Sequence, residues 1–531
     1  MEPPRSQPEK LERQARLKEK RKAARKRYLD LLENMVPRLF FNWLSVMGFF
    51  FVSFGIIGEV FIFLMDLFSP YSPSYQGLIY LLFFVLIAIG LSIMVFGVAR
   101  EHFRLKRGLP PSASASILAD RPIFVVLSVM ILMGGMTLVV GFSSYSIYQV
   151  TESPEFCGQT CHSVMHPEWN TYQTSPHAKV PCVKCHIGSG AEWYVRSKLS
   201  GLRQIYAVFD ESYSRPISTP IHHLRPARET CEECHWRKKF MGYQDFTRTY
   251  TLKDEENTPF HFRMLLHIGG EKTAVGKGSG IHYHMLIANK VEYIARDKKR
   301  QNIAWVRTTK SDGSTSVYNN IEEPLTEKEK KTLKPRKMDC VDCHNRAAHQ
   351  FPTATKSVNE AIEENLIPRV FPSIKVQAVK VLSQEYANVT DAEKKIAISL
   401  QDYYQKNYPE FLKNHPDDLV ATIKGVQSIY KRIVFPEMKS NWFAYPDNIG
   451  HLDWPGCFRC HNDYLENEDG DIIFKDCNSC HIILAQGEDS NEININFKKG
   501  LEFMHPGIEE PMEEFSNCAE CHTGGDKMYN R

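Results

Sequence analysis

The stretch EFCGQTCHSVMHPEW, residues 155–169, contains two cysteines followed at once by a histidine. Three residues separate Cys157 from Cys161, and His162 comes next. Six later cysteine pairs repeat the pattern with two residues between the cysteines, and all 14 cysteines of the 531-residue chain belong to these seven pairs. The stretch is therefore the first copy of a repeated sequence motif, and the group that this motif binds decides the fold.

Every cysteine pair is followed directly by a histidine. The seven sets are Cys157, Cys161 and His162; Cys182, Cys185 and His186; Cys231, Cys234 and His235; Cys340, Cys343 and His344; Cys457, Cys460 and His461; Cys477, Cys480 and His481; and Cys518, Cys521 and His522. C-x-x-C-H is the attachment signature of c-type haem, in which two thioethers hold the porphyrin and the histidine ligates iron. The sequence predicts seven covalently bound haems c, or six if the first site, with its wider spacing, is degenerate.

Two other cysteine chemistries compete with this interpretation. Zinc knuckles and disulfide frameworks also use closely spaced cysteines, but neither requires a histidine after every pair. Exposed cysteine pairs and covalent haem both belong to an oxidising compartment. Each flat apolar macrocycle acts as a large buried side chain, so that the haem region needs only a modest protein core and little regular structure.

The first 150 residues predict a membrane anchor. Three apolar runs, at about Leu39–Met65, Gly77–Val98 and Pro122–Tyr148, each exceed the roughly 20 residues that cross a hydrocarbon core. The predicted fold class is a mostly α membrane anchor of three transmembrane helices plus a haem-packed multihaem cytochrome c domain, with some helices and a small β-hairpin. The hairpin is predicted in residues 289–320 around the turn SDGS, and helices are predicted from Thr355 to about Tyr430.

The charges that flank the apolar runs predict the orientation of the chain. Residues 13–27 and 99–111 are rich in Lys and Arg, whereas residues 69–76 contain neither. By the positive-inside rule the N-terminus is cytoplasmic and the haem region is periplasmic, at a bacterial inner membrane. The basic arm is expected to face lipid headgroups, and no nucleic acid is expected as a partner.

The apolar runs themselves contain few polar side chains. None of the three contains a histidine, because His102 falls in the predicted cytoplasmic loop. A b-type haem inside the bilayer is therefore excluded, and electrons must enter at the outer surface. Glu59 and Asp66, near the outer end of the first run, are either solvated helix ends or proton-relay groups.

We divide the chain into six predicted segments. They are a basic arm (1–38), the anchor (39–150), a triple-haem region (151–240), a hairpin-containing segment with the fourth haem (241–350), a helical segment (351–440) and a second triple-haem region (441–531).

Seven irons need seven further axial ligands, and twelve other histidines follow residue 151. The predicted distal ligands are His177, His222, His223, His282, His284, His349, His451 and His505, with one of His222 and His223 expected to ligate. The choice between ligand and ordinary protein histidine stays open for His261 and His267, whereas His415 is expected to be structural. This surplus allows every haem to be six-coordinate, and bis-imidazole ligation favours low potentials.

Residues 151–169, TESPEFCGQTCHSVMHPEW, directly follow a membrane helix and resemble the NapC/NirT/NrfH family of membrane-anchored, quinol-oxidising multihaem cytochromes. His177, the motif CVKCH and the aromatic and basic stretch 191–209 continue the resemblance over roughly residues 125–240. The resemblance implies that Met165 ligates the first haem and that Lys198, with Gln204 nearby, lines a quinol pocket. The chain departs from the family in its three-residue cysteine spacing and in Gln204, where the family tends to have an acid.

Seven haems and three spans look more like the larger ImcH-type inner-membrane cytochromes of bacteria that respire extracellular metals. The predicted function is a quinol dehydrogenase that passes electrons from the membrane quinol pool, with menaquinol favoured, to periplasmic c-type cytochromes in anaerobic respiration. Two alternatives remain: a terminal multihaem reductase with an open haem, and a non-catalytic relay subunit of a larger complex. The oligomeric state is left open.

Overall fold

The computed structural model describes most of the chain in two compact units. The described residues are 19, 39–40, 42–68, 76–110, 112, 122–160, 162–188, 190–221, 225–236, 240–270, 280–285, 290–310, 312–488, 493–497, 499–508 and 517–525. One unit comprises Met1–Thr151 and Ser189–Arg196, and the other comprises Glu152–Gly188 and Ser197–Arg531. All seven cysteine motifs belong to the second unit, and the basic arm falls almost entirely outside the described residues.

The first unit contains three long apolar helices. They are α1 (Trp43–Phe68), α2 (Gln76–Lys106) and α3 (Pro122–Thr151). The segments able to cross a membrane by length and composition are Trp43–Phe63, Tyr80–Lys106 and Met130–Thr151. The three predicted membrane helices are therefore confirmed. Helix α2 extends beyond the predicted end at Val98, so that His102 lies in its last turns and not in a loop.

Small residues allow α1 and α2 to pack closely. A Cβ atom at Gly48 would lie 2.6 Å from the carbonyl oxygen of Gly90, and one at Gly90 would lie 2.7 Å from the carbonyl oxygen of Gly48. Such close backbone approach is typical of helix packing in membranes, where contacts replace the hydrophobic driving force.

The remaining helices are mostly short and cluster around the motifs or in one insert. They are α4 (Pro154–Gln159), α5 (His162–Gln173), α6 (Cys182–His186), α7 (Ala191–Phe209), α8 (Ala227–Cys231), α9 (Glu327–Thr332), α10 (Cys340–Cys343), α11 (Ala354–Glu363), α12 (Ile374–Leu382), α13 (Val389–Asn407), α14 (Pro409–Asn414), α15 (Pro416–Ile433) and α16 (Cys518–Cys521). Single 3₁₀ turns occur at Tyr283–Met285, Pro436–Met438, Gly456–Arg459 and Cys477–Ser479.

Two antiparallel sheets lie in the second unit. The strands are β1 (Gly242–Thr251), β2 (Pro259–Gly269), β3 (Lys290–Ala295), β4 (Ile303–Thr309), β5 (Thr315–Asn320), β6 (Arg336–Lys337), β7 (Leu465–Glu466), β8 (His481–Gly487) and β9 (Asn494–Ile495). One sheet has the order β1-β2-β8-β9 and the other β6-β3-β4-β5-β7. The predicted hairpin around SDGS is confirmed as β4–β5, with Gly313 at a φ of +84° in the turn.

Helices α11–α15 form an insert between the fourth and fifth motifs with its own apolar core. Phe371, Ile396, Tyr404 and Val426 are each fully buried there. The rings of Phe371 and Tyr404 meet edge to face with centroids 5.0 Å apart. Truncating a buried aromatic in such a core costs about 3–5 kcal/mol. This part of the chain orders itself by protein packing.

Candidate haem-binding sites

Three cysteine motifs lie on single helical turns, α6, α10 and α16; the fifth and sixth begin on 3₁₀ turns, and the third begins at the last residue of α8. Residues three apart on such a turn share a face, so that both sulfur atoms can reach one porphyrin edge. Side chains at the start of these turns fix them: Asp339 and Asn517 cap α10 and α16, and Asp476 caps the turn at Cys477–Ser479. Cys161 falls outside the described residues.

The six motif histidines whose side chains the structure describes each face a second histidine from elsewhere in the chain. The pairs, with the distance between ring centroids, are His177–His235 (6.0 Å), His186–His349 (6.3 Å), His282–His344 (6.3 Å), His284–His461 (5.9 Å), His451–His481 (6.2 Å) and His505–His522 (5.8 Å). Two imidazoles on opposite sides of one metal, each at a bond length of about 2 Å, have ring centres about 6 Å apart. The separations are therefore close to those of pairs that hold an iron; in the tightest pair the Nε2 atoms of His505 and His522 lie 3.5 Å apart, against about 4 Å for two such bonds.

Six of the eight predicted distal ligands occur in these pairs, and the other two lie outside the described residues. His177, His282, His284, His349, His451 and His505 all occur in these pairs, whereas His222 and His223 lie outside the described residues. No group of three or more potential metal-ligating side chains occurs in the described part of the chain. Each pair instead offers two nitrogens, the number that a porphyrin iron leaves open.

Backbone carbonyls orient several of the rings through Nδ1. The Nδ1–oxygen distances are 3.0 Å from His177 to Ala347, 3.1 Å from His282 to Ile268, 3.3 Å from His284 to Ile281, 3.0 Å from His349 to Glu168, 3.0 Å from His461 to Phe474 and 2.8 Å from His505 to Pro506. A carbonyl can only accept, so Nδ1 carries the proton and Nε2 is left as the metal-binding atom. This is the usual arrangement around metal-ligating histidines.

Burial keeps many of these imidazoles neutral. Burial, with a smaller contribution from the facing histidine, lowers the pKa of His284, His349, His451 and His522 to about 4 in each case. Because neutral imidazole is the form that binds a metal, these residues are in the state that iron ligation requires at neutral pH.

Several buried polar atoms near the pairs have no hydrogen-bond partner within the described residues. They include Nε of Arg346, Nε1 of Trp442 and Oγ1 of Thr523. Arg346 follows His344 by two residues, and Thr523 follows His522 directly. Buried donors without partners are costly, and the propionate groups of a haem are acceptors of the right chemistry. The residues present therefore fit haem c.

The other histidines contact ordinary protein groups. His261 Nδ1 lies 3.2 Å from Thr249 Oγ1, and the ring of His267 stacks on Tyr243 at 4.7 Å. His415 Nδ1 lies 2.9 Å from Asp418 Oδ2, and its ring stacks on Phe411. His166, next to Met165, lies 3.2 Å from the side-chain amide of Asn170.

The first motif differs from the others in its surroundings. Cys157 lies on α4, whose first turn is capped by Ser153, and the next residue, Gly158, packs against the ring of Trp169 so closely that a Cβ there would clash. His162 and Met165 both lie on α5, three residues apart. That spacing puts the two positions on one face of the helix.

An ion pair that the sequence did not reveal lies beside the first motif. Lys198 Nζ is 2.6 Å from Glu152 Oε1, and the two side chains are 39% and 12% exposed. The pKa of Cys157 is raised mainly by a hydrogen bond with Cys182 and by burial; Glu152 raises it further and Lys198 lowers it, so both charges act on this thiol. Glu152 is the first residue after α3, and this position was the only sequence signal for it.

Gln204 lies apart from this ion pair. Its side-chain amide donates to Ser200 Oγ at 3.2 Å. At about 100° per residue, a position six residues after Lys198 on α7 points to a different side of the helix. The structure therefore does not bring Gln204 next to Lys198.

Two comparisons with known proteins match the chain. A profile of the NapC/NirT cytochrome c family, N-terminal region, matches residues 120–249, from the third membrane helix through the third motif. The cytochrome c-type protein ImcH of Geobacter sulfurreducens is 39% identical over 493 residues, which cover 91% of this chain and 95% of that protein. No solved structure matches the chain.

Proposed function

Because the chain belongs to the NapC/NirT cytochrome c family, with ImcH as a full-length relative, we propose that it is a membrane-bound quinol dehydrogenase. Membership makes it a membrane-anchored cytochrome c of electron transport, at the inner membrane, with covalent haem. The finer proposal is that seven haems c carry electrons from quinol, with menaquinol favoured, to periplasmic c-type cytochromes in anaerobic or extracellular-acceptor respiration.

The observation that carries the proposal is the set of six facing histidine pairs. Each bound haem supplies a one-electron Fe(III)/Fe(II) couple. A pair that holds an iron from both sides leaves no position for substrate, which supports a conductor and not a terminal reductase. The seven cysteine pairs would attach the haems through thioethers, and the six histidine pairs would hold the irons of the second to the seventh haem.

For the first haem we propose a different ligand set. His162 or Met165 supplies one axial position from α5, and we favour Met165 because a wider cysteine spacing swings His162 relative to the porphyrin. His222 and His223 remain candidate ligands. Only glycine fits at position 158, because a Cβ atom there would clash with the ring of Trp169. This close packing between the two cysteines supports an adapted haem motif and not a degenerate one.

The ion pair of Glu152 and Lys198 is the proposed site of quinol oxidation. A quinol gives up two electrons and two protons, so its site needs a proton acceptor beside a one-electron acceptor. The Glu152 carboxylate accepts the protons one after another and passes them to water. The Lys198 ammonium donates a hydrogen bond to a quinol oxygen, and a haem held by the first motif would supply the one-electron acceptor for each of the two electrons in turn. In this proposal Glu152 takes the place that the resemblance gave to Gln204.

The sequence ties this site closely to the anchor. Glu152 follows α3 directly, and five residues later Cys157 attaches the first haem. Five residues of chain span at most about 18 Å, so the first haem stays within reach of a quinol in the bilayer. In the proposed topology the basic N-terminus is cytoplasmic and the haem unit is periplasmic.

Anaerobic mixing of the detergent-purified protein with a menaquinol analogue tests the proposal. Rapid growth of the reduced-haem absorption bands is expected. If quinol leaves the haems oxidised while dithionite reduces all of them, the protein is a relay subunit that another protein feeds, and the dehydrogenase proposal is wrong.

A further inference from the structure

The first four motifs contact one another in the order of the sequence. Helix α4 contacts α6, α6 contacts α8, and α8 contacts α10; these helices carry cysteines of the first, second, third and fourth motifs. The side chains of Cys157 and Cys182 lie next to each other across the first of these contacts, and those of Cys231 and Cys340 across the last. Haems attached there must lie side by side.

The distal ligands of the second and third sites are interlaced. His349 faces His186 of the second motif, and His177 faces His235 of the third. His177 also hydrogen-bonds the carbonyl of Ala347 at 3.0 Å, only two residues before His349. One short segment after the fourth motif thus holds both sites together.

The fourth and fifth sites share a ligand segment. His282 faces His344 of the fourth motif, and His284 faces His461 of the fifth. Residues two apart are separated by at most about 7 Å between Cα atoms. In addition, Arg459 in the fifth motif donates to the carbonyl of Asp342 in the fourth at 2.8 Å.

The fifth and sixth sites are joined in two places. The ring of His451, which faces His481 of the sixth motif, stacks on Phe458 of the fifth motif with centroids 4.3 Å apart. His461 of the fifth motif lies 3.0 Å from the carbonyl of Phe474, three residues before the first cysteine of the sixth. The two haem pockets therefore have a common wall.

The sixth and seventh sites are joined through β8. This strand begins at His481 of the sixth motif, and Leu501 donates to its Ile483 at 2.8 Å. The segment fixed in this way leads to His505, which faces His522 of the seventh motif. The distal ligand of the last haem is therefore placed by the strand that starts at the sixth.

We propose that the seven haems form one unbranched path in sequence order, entered at the first haem and left at the seventh. The inference rests on the proposed function for its entry point. The contacts between motif helices and the shared ligand segments of the later sites join consecutive sites, although the segment after the fourth motif also supplies His349 to the second site. On the sequential path each middle haem is a necessary step. The soluble electron acceptor then takes its electrons at the pocket formed by His505 and His522.

Removing one haem at a time tests this order. In the double variant Cys340→Ala/Cys343→Ala, which lacks the fourth haem, quinol should rapidly reduce three of the six remaining haems, and dithionite all six. In Cys477→Ala/Cys480→Ala, which lacks the sixth, quinol should rapidly reduce five of six. Reduction of all six haems at the rate of the unmodified protein in the first variant would overturn the proposal.

Three controls keep the result interpretable. If quinol reduces no haem even in the unmodified protein, the proposed function is wrong. The order of the haems is then tested without quinol, by a chemical reductant that reacts only with the first haem. Electron exchange between molecules is recognised because its rate rises with protein concentration. If the cysteine variants do not fold, His282→Met keeps the fourth haem attached with a raised potential, and the last three haems should then fill in a separate slow phase.

The exit is tested separately with Cys518→Ala/Cys521→Ala, which lacks the seventh haem. Quinol should still reduce the six remaining haems, but onward transfer to a soluble c-type cytochrome from the periplasm should fall at least tenfold. Transfer at the rate of the unmodified protein would overturn the assignment of the exit.

Discussion

Neutralising the ion pair of Glu152 and Lys198 should slow quinol oxidation while leaving the haems intact. The Nζ–Oε1 distance of 2.6 Å is that of a short charge-assisted hydrogen bond, and Glu152 is only 12% exposed. Hydrogen bonds to charged groups contribute about 1.5–3 kcal/mol, or roughly 10- to 150-fold in a rate, and general acid–base catalysis typically contributes 10²–10⁴-fold. We expect Glu152→Gln and Lys198→Met each to slow the quinol-driven phase about 100-fold.

The rate of the double variant shows whether Glu152 and Lys198 act as one unit or independently. Groups that act as a unit are strongly non-additive, so that Glu152→Gln/Lys198→Met should lose about as much rate as either single variant. The assay is anaerobic stopped-flow absorption, with dithionite reduction as the measure of haem content. Arg203→Gln, at an exposed position of α7, is the matched control and should oxidise quinol normally. Single variants that keep the unmodified rate, or losses that multiply in the double variant, would refute the reasoning.

Further predictions concern ligation, stability and pH. His349→Ala should leave the second iron with one imidazole and give a high-spin signal in electron paramagnetic resonance that added imidazole removes, whereas His415→Ala should leave the spectrum unchanged, because His415 pairs with Asp418. Asp342 is 2% exposed and accepts hydrogen bonds from Tyr293, Arg300 and Arg336. Asp342→Ala should therefore lower the free energy of unfolding by about 3–5 kcal/mol in denaturant titrations. Asp469→Ala, at an exposed position, should have little effect. Burial lowers the pKa of Lys375 from 10.5 to about 8, so between these pH values the unfolded chain binds more protons than the folded one. The free energy of unfolding should therefore rise by about 3 kcal/mol from pH 8 to 10.5, and Lys375→Met should abolish this rise in melting curves against pH.

The parts of the fold that follow from local pattern were predictable. A cysteine motif or an apolar span is complete within a few residues or one helix, so that both could be read without knowing what they pack against. The same holds for the β4–β5 hairpin, where SDGS supplies the turn, and for the amphipathic helices of the insert. The division into six segments stays a prediction, because the compact units follow only its main boundary near Thr151.

The long-range features were not predictable. Strand β2 pairs with β8, which begins at the sixth motif far along the chain, and β1 exposes most of its side chains, so that no alternation marks it. The pairing of distal histidines crosses between motifs, as His349 with His186 shows, and nothing local specifies such a partner. Glu152 was missed because its role depends on Lys198, 46 residues away.

The most direct test of the central claim is a count of haems by axial ligation. Intact-protein mass gives the number of haems attached, and near-infrared magnetic circular dichroism of the oxidised protein gives the ligand pair of each class. Seven haems are expected, six of them low-spin with two imidazoles and one with a different ligand set. Fewer than six bis-imidazole haems, or a high-spin haem among the six paired sites, would contradict it.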